Sequence, residues 1–315
     1  MKKNIFIPKY QNGADGISTF VSSIANIDTS YRVVETNKNS ISILLRFIID
    51  SDICIFNGVY QVKYTFLCIL SKLLGKKTVV INHGNISCNN LNLKKKAFNF
   101  FYVLLMWSFI DRFVVTSRAE LRAARKLKPI NLKLFMPDKK IESDGIKSNR
   151  IVYAGRISKE KRVLELVKAY EELHETPVID LVLFGSIQDK SFPKIYLKRY
   201  FHGHLTHEQS LNEISNSYFS FNLSKSESFG YSIAESLASG TPVIVAEESE
   251  WPVELGFGFR VDAKSKASIK NVLERISSLT SEEYLKMQNS GRVYIRQHLS
   301  EQNNIGAWRD TFEKW

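Results

Sequence analysis

Short apolar runs of strand character alternate with stretches of helical period along almost the whole chain, and this alternation leaves little choice of fold. In the first half the strand-like runs fall at 5–7, 31–34, 53–56, 78–81 and 112–115. Helical stretches at 17–27, 41–49, 64–74 and 93–110 separate them, and Gly75 closes the third. The second half repeats the scheme, with strands expected at 150–154, 178–184, 219–223 and 243–245. Helices are expected up to residue 173, at 209–217, at 231–239, at 266–279 and at 281–298, while 247–258 reads as a loop. Such alternation marks an α/β protein whose parallel sheets are wrapped by helices, and ligands of these sheets bind beyond the carboxyl ends of the strands.

At 315 residues the chain suits two domains of about 150 residues each rather than one. The polar stretch 137–149 breaks both periodicities and reads as the linker between them. The start of the chain, Met1 to Pro8, is too short an apolar run for a signal peptide and reads as a first strand. Cys54, Cys68 and Cys88 lack metal-ligand spacing and are expected to stay reduced, as in a cytosol. His202, His204 and His207 lack a zinc pattern as well, so no metal site is expected.

Charge is unevenly placed. Residues 1–150 hold 24 Lys and Arg against 10 Asp and Glu, a net of +14, while residues 151–315 hold 20 against 22. A half that basic expects an anionic partner. Lys94, Lys95 and Lys96 stand beside an aromatic run ending at Trp107, too short to span a bilayer but suited to lie against a membrane surface. Because the basic residues are not interleaved with a base-reading pattern, a nucleic-acid partner is not expected.

Chemistry concentrates in the stretch 224–245, which reads as loop, helix and strand. Glu227 precedes the helix and Glu235 lies one to two turns inside it; Gly240 occupies the left-handed C-terminal position, before Thr241-Pro242. Carboxylates at these places accept from hydroxyls, and the backbone N–H groups of Ser228, Phe229, Gly230 and Tyr231 at the helix N-terminus suit a phosphate. Upstream, a strand exit runs into Gly155-Arg156-Ile157-Ser158-Lys159-Glu160-Lys161-Arg162, where a glycine brings the backbone close and cations suit a diphosphate. The first strand likewise leads through Gly13 and Gly16 into a helix, and His83 follows the strand 78–81. Ser117 and Glu120 read as a capping box.

The stretch Glu-Ser-Phe-Gly-x-x-x-x-Glu-x-x-Ala-x-Gly-x-Pro-Val-Ile closely resembles the signature of the retaining glycosyltransferases of family 4, with more than ten positions in one register. The resemblance covers nearly all of residues 110–315 and scattered points of residues 1–110. It implies the GT-B fold: two Rossmann-like domains facing a cleft, with a C-terminal helix returning to the N-terminal domain. The boundaries expected on that basis are 1–140 for an acceptor-side domain, 141–298 for a nucleotide-sugar-binding domain and 299–315 for the returning helix.

Carried over residue by residue, the resemblance gives Glu235 the ribose hydroxyls and Glu227 the donor-sugar hydroxyls. Arg156 and Lys161 form the diphosphate clamp, and Arg162 does not match. His83 meets the reacting sugar. Gly16 stands in the glycine-rich first loop, Gly155 at the clamp, Gly185 and Ser186 beside the nucleoside, and Gly203 and His204 at a turn that meets the base through main-chain groups. Trp251 to Glu254 resembles a Pro-Glu turn. The implied enzyme is a hexosyltransferase-type transferase that needs no cofactor. Its donor is a nucleotide diphosphate sugar, UDP- in preference to GDP-, and without an Asp-x-Asp pair the cations replace a divalent metal. A lipid-linked saccharide acceptor, a role in cell-surface polysaccharide synthesis and a peripheral place on the cytoplasmic face of the membrane are expected with it. The rival readings are a non-catalytic GT-B partner subunit, against which both glutamates and both cations stand, and a basic nucleic-acid binder.

Overall fold

A computed structural model describes residues 1–10, 16–26, 29–57, 62–83, 104, 107–136, 147–173, 179–225, 227 and 229–315. The chain divides into two compact units, Met1–Asp138 with Leu299–Trp315, and Lys139–His298.

The first unit runs β1 (Lys3–Ile7), α1 (Gly16–Ala25), β2 (Tyr31–Glu35), α2 (Ile41–Ile49), β3 (Ile53–Asn57), α3 (Val62–Leu73), β4 (Lys77–Asn82), β5 (Arg112–Val115), α4 (Arg118–Ala123) and β6 (Ile130–Asn131). Its strands form one parallel sheet in the order β2-β1-β3-β4-β5-β6. Every residue of β1 and β3 is buried, as expected of strands covered on both faces by helices. Phe6 stacks on Phe56 at 4.9 Å between ring centroids, and these rings join Leu44, Ile48, Tyr64 and Leu67 in the core. Most of the helix expected at 93–110, with Lys94, Lys95 and Lys96, lies outside the described residues; Trp107–Phe109 forms a single 3-10 turn.

The second unit runs β7 (Ser148–Ala154), α5 (Val163–Glu171), β8 (Asp180–Phe184), α6 (Lys194–Tyr200), α7 (His207–Ser215), β9 (Ser217–Asn222), α8 (Tyr231–Ala238), β10 (Val243–Ala246), β11 (Gly258–Val261), α9 (Lys266–Ser277) and α10 (Ser281–His298). Its sheet is parallel in the order β11-β10-β9-β7-β8, so the direction of winding reverses beside β7. Crevices at such reversals are where open α/β sheets bind ligands. The core gathers Ile151, Leu183, Phe219, Ile244 and Val261 from the strands with Leu166, Ile269 and Leu273 from α5 and α9.

The last helix, α11 (Glu301–Glu313), belongs to the first unit. Trp308 and Phe312 are fully buried there, Trp308 lying 4.8 Å from Phe20 and donating its Nε1–H to Lys133 O at 2.8 Å. Arg112 reaches the carbonyls at the end of α11 and stacks on Trp315 at 4.1 Å. Among the described residues no helix is long and apolar enough to cross a membrane.

Several expectations need correction. The helix expected to open from the stretch 155–162 and run to residue 173 begins only at Val163, after a 3-10 turn, Lys159–Lys161, and Arg162 at φ 51°. The sequence reading does not include β6, α6 or β11: β6 has two residues, α6 has seven with Tyr200 alone buried, and β11 mixes a glycine and an arginine into its run. The capping box at α4 differs too. Ser117 Oγ accepts from Glu120 N at 3.2 Å, but the Glu120 carboxylate is turned to Asn82 Nδ2 and to Thr116 N.

Candidate active site

Four strand exits of the second unit converge on one another. Gly155 N donates to Phe184 O at 3.0 Å, Ile157 N to Ser186 O at 2.8 Å, and Gly185 N to Gly203 O at 2.9 Å. The β7 exit, the β8 exit and the Gly203-His204 turn therefore form one stitched surface. Gly185 makes this possible: its φ is 131°, and a Cβ there would lie 1.9 Å from Gly155 O. No side chain fits between the two loops at that separation. Tyr153 holds the next residue, its hydroxyl donating to Arg156 O at 2.6 Å. Burial, then the nearby Glu227 charge, raises the Tyr153 phenol far above its ordinary range, so it remains a donor.

The β9 exit carries the charged centre. Lys161 forms an ion pair with Glu227, and Asn222 Nδ2 lies 3.3 Å from both Glu227 Oε1 and Ser232 Oγ. Asn222, the last residue of β9, thus ties the loop carboxylate to the first turn of α8. Gly230 opens that helix at φ 83° with no side-chain cap, and a Cβ there would meet Ile233 Cδ1 at 3.0 Å and Trp251 Nε1 at 3.3 Å. Trp251 Nε1 donates to Phe229 O at 2.6 Å, so the turn after β10 holds the backbone just ahead of α8. Arg260 fixes that turn in its own right, with Nη1 on Ser249 O at 2.8 Å and Nη2 on Trp251 O at 2.7 Å.

The other expected residues are placed as follows. Arg156 is exposed, with Nη1 3.4 Å from Gln188 Oε1 on the loop after β8. Ser186 lies on that loop, His204 is exposed on the turn before α7, and Ser228 lies outside the described residues. Tyr231 is the first residue of α8, its phenol raised well above the ordinary value by burial and then by the Glu235 charge. Glu235 is 7% exposed inside α8 and faces His207 rather than Glu227, with Nε2 to Oε1 at 2.8 Å.

The sequence alone gives no site role to four further side chains. Asn222 stands as a polar residue at the end of an apolar strand. His207 follows Thr206, whose capping box with Gln209 has the spacing Thr-x-x-Gln. In the sequence Trp251 reads only as part of a turn. Arg162, which does not match the clamp, is 3% exposed and donates to Glu248 through both terminal nitrogens, Nη1 at 2.9 Å and Nη2 at 2.6 Å. That pair locks the clamp loop to the β10 exit and holds the Glu248 carboxyl below its ordinary range.

Two expected residues belong to the first unit. Gly16 is the first residue of α1, and residues 11–15 before it, including Gly13, lie outside the described residues. His83 follows β4, its ring 5.6 Å from Phe20 and its Nε2 3.0 Å from Asn57 Oδ1. Asn57 Nδ2 donates to Phe6 O at 3.2 Å, so the amide oxygen faces His83 and the imidazole carries its proton on Nε2. Burial of the ring lowers the His83 pKa to about 4, which keeps it neutral near pH 7.

Two parallel sheets wound in this way, with charged loops at the exits of the second, define a glycosyltransferase fold of the GT-B type. The structure is similar to HepE from Anabaena in its crystal structures with UDP and with UDP-glucose, at TM-scores of 0.79 and 0.78, 14% identity and full coverage of both chains. It is also similar to sucrose-phosphate synthase from Thermosynechococcus elongatus, at a TM-score of 0.75 and 13% identity over 100% of this chain and 99% of that one. WaaG, a glycosyltransferase involved in lipopolysaccharide biosynthesis, aligns at 0.69 and 12% identity over 99% and 100%. No curated protein matches the sequence. The family described as glycosyl transferases group 1 matches residues 137–294, half of the chain, and the chain belongs to that family.

Proposed function

We propose that this protein is a retaining glycosyltransferase of family 4 that moves a hexose-type unit from a nucleotide diphosphate sugar to an acceptor hydroxyl. The observation that carries the reading is the Lys161–Glu227 pair at the sheet reversal, with Arg156 on the same loop as Lys161 and Glu235 in the helix that follows Glu227. In the reaction the bond between the anomeric carbon and the phosphate oxygen breaks, and negative charge grows on the diphosphate. Arg156, Lys161 and the amide end of α8 meet that charge, the largest electrostatic demand of the step. Glu227 holds sugar hydroxyls, which keep the electron-poor anomeric carbon facing the acceptor, and Glu235 takes the ribose hydroxyls. The acceptor hydroxyl attacks from the face the leaving group departs, and its proton passes to the departing phosphate oxygen. The cations stand where a divalent metal would otherwise be needed.

A UDP-sugar is the first donor to test, since the HepE structures carry UDP and UDP-glucose. The acceptor is a lipid-linked saccharide of a cell-surface polysaccharide, such as an O-antigen, capsule or exopolysaccharide. The enzyme works from the cytoplasmic face, held to an anionic membrane by the net +14 of residues 1–150. Calorimetric titration of the purified protein with UDP, GDP and ADP tests the donor class, and NMR of the product's anomeric proton tests retention. Binding of none of the three nucleotides overturns the reading. Turnover abolished by EDTA and restored by Mg²⁺ overturns the metal-free clamp, and equal recovery with neutral and anionic vesicles in flotation overturns the membrane dock.

A further inference from the structure

Glu235 is the least exposed carboxylate of the site, with Ile233, Ala234, Ser236 and Leu237 buried around it on α8. A carboxylate so placed requires hydrogen-bond donors. Among the described residues its hydrogen-bond partner is His207, whose Nε2 lies 2.8 Å from Oε1 while its own side chain is 31% exposed. A carboxylate only accepts, so His207 presents Nε2–H to it. His207 is held in turn. It is the first residue of α7, directly after the Thr206 N-cap, where Thr206 Oγ1 accepts from Gln209 N at 3.2 Å and Gln209 Oε1 accepts from Thr206 N at 2.9 Å. The reciprocal cap fixes the helix start and with it the position of the ring. One carboxylate oxygen is thereby held from outside α8, and Oε2 makes no hydrogen bond among the described residues.

We propose that His207 is a positioning residue for nucleotide recognition: it clamps Oε1 of Glu235 so that the carboxylate stands ready for the vicinal diol of a ribose. This deepens the function proposed above and rests on its assignment of Glu235 to the ribose. A carboxylate fixed at one oxygen loses less rotational freedom when it takes the diol, which raises affinity through preorganisation rather than through a new contact. The effect is confined to ligands that have the diol. Loss of the imidazole weakens a ribonucleotide and leaves a dideoxyribonucleotide unchanged, whereas a merely structural role for His207 weakens both alike.

The experiment is calorimetric titration of wild type, His207→Ala and His207→Gln with UDP and with 2′,3′-dideoxy-UDP, with circular dichroism to show that each variant is folded. For His207→Ala the expected result is roughly a tenfold loss of UDP affinity, about the worth of one hydrogen bond to a charged group, and less than a twofold change for dideoxy-UDP. Gln offers an amide N–H to the carboxylate, and His207→Gln is expected to recover most of the loss. Equal UDP affinity in wild type and His207→Ala, or an equal loss for both nucleotides, overturns the positioning role while the donor reading stands. Wild type that binds neither UDP nor GDP nor ADP overturns the donor reading and this inference with it.

Discussion

Lys161 and Glu227 form a direct ion pair, each side chain about one-fifth exposed, although one belongs to the clamp loop and the other to the loop ahead of α8. A cation for phosphate and an anion for sugar hydroxyls thus hold each other in place. Lys161→Ala and Glu227→Ala are each expected to lower kcat/KM about a hundredfold or more, near 3 kcal/mol of transition-state stabilisation. Because the two act as a unit, the double variant should fall well short of the product of the single losses. Steady-state kinetics of all four proteins check this, and fully multiplicative losses would show two independent roles.

Arg162 combines a left-handed backbone with a guanidinium whose side chain is 4% exposed against Glu248. Removing Glu248 leaves a buried charge unpaired, so Glu248→Ala should cost more stability than Arg162→Met, by about 1–2 kcal/mol. The backbone adds a second expectation. Glycine relieves the φ of 51°, so Arg162→Gly should be more stable than Arg162→Ala by up to about 1 kcal/mol, an inversion of the usual order. Urea unfolding of the four variants ranks them, and alanine above glycine at this position would remove the strain argument.

The sheets were legible because buried parallel strands are written as unbroken apolar runs: Ile53 to Phe56, Leu181 to Phe184 and Val243 to Val245 leave no polar face to mistake. Glu227 with Glu235, and Arg156 with Lys161, stand out in the sequence through their spacing within two separate motifs. Asn222, His207 and Trp251 were not, because each acts through a partner distant in sequence: Asn222 on Ser232, His207 on Glu235, Trp251 on Phe229 O. A helix pattern also gives no warning of a residue such as Arg162, whose side chain wins an ion pair at the cost of its own helical φ.

His83 carries a pH dependence of definite sign. Its pKa falls from 6.5 in the ordinary state to about 4 in the folded chain, with burial as the cause. Between those values the unfolded chain binds a proton that the folded one refuses, so stability is complete above pH 6.5 and is lost as the pH drops toward 4. From pH 7 to pH 5 this one group should remove about 2 kcal/mol. His83→Gln abolishes the titration and should lose correspondingly less over the same interval. Urea midpoints at the two pH values check it; an unchanged acid sensitivity in the variant would place the proton uptake elsewhere.

The C-terminal helix is a structural part of the first unit, and Trp308 is its anchor. The side chain is 0% exposed, packs on Phe20 and Phe312 at 4.8 and 5.7 Å, and donates to Lys133 O at 2.8 Å. Trp308→Ala opens a large cavity and strands the Lys133 carbonyl, a cost of about 3–5 kcal/mol. Trp308→Phe keeps much of the packing and loses mainly the N–H, so about 1–2 kcal/mol is expected. With two units in the chain a single melting temperature does not separate their fates, so the measurement is amide hydrogen exchange read by mass spectrometry. In Trp308→Ala, peptides covering β1 and α1 should lose protection while those covering β7 to β10 keep it. Equal loss in both units, or no loss at all, would show that α11 does not stabilise the first unit through this side chain.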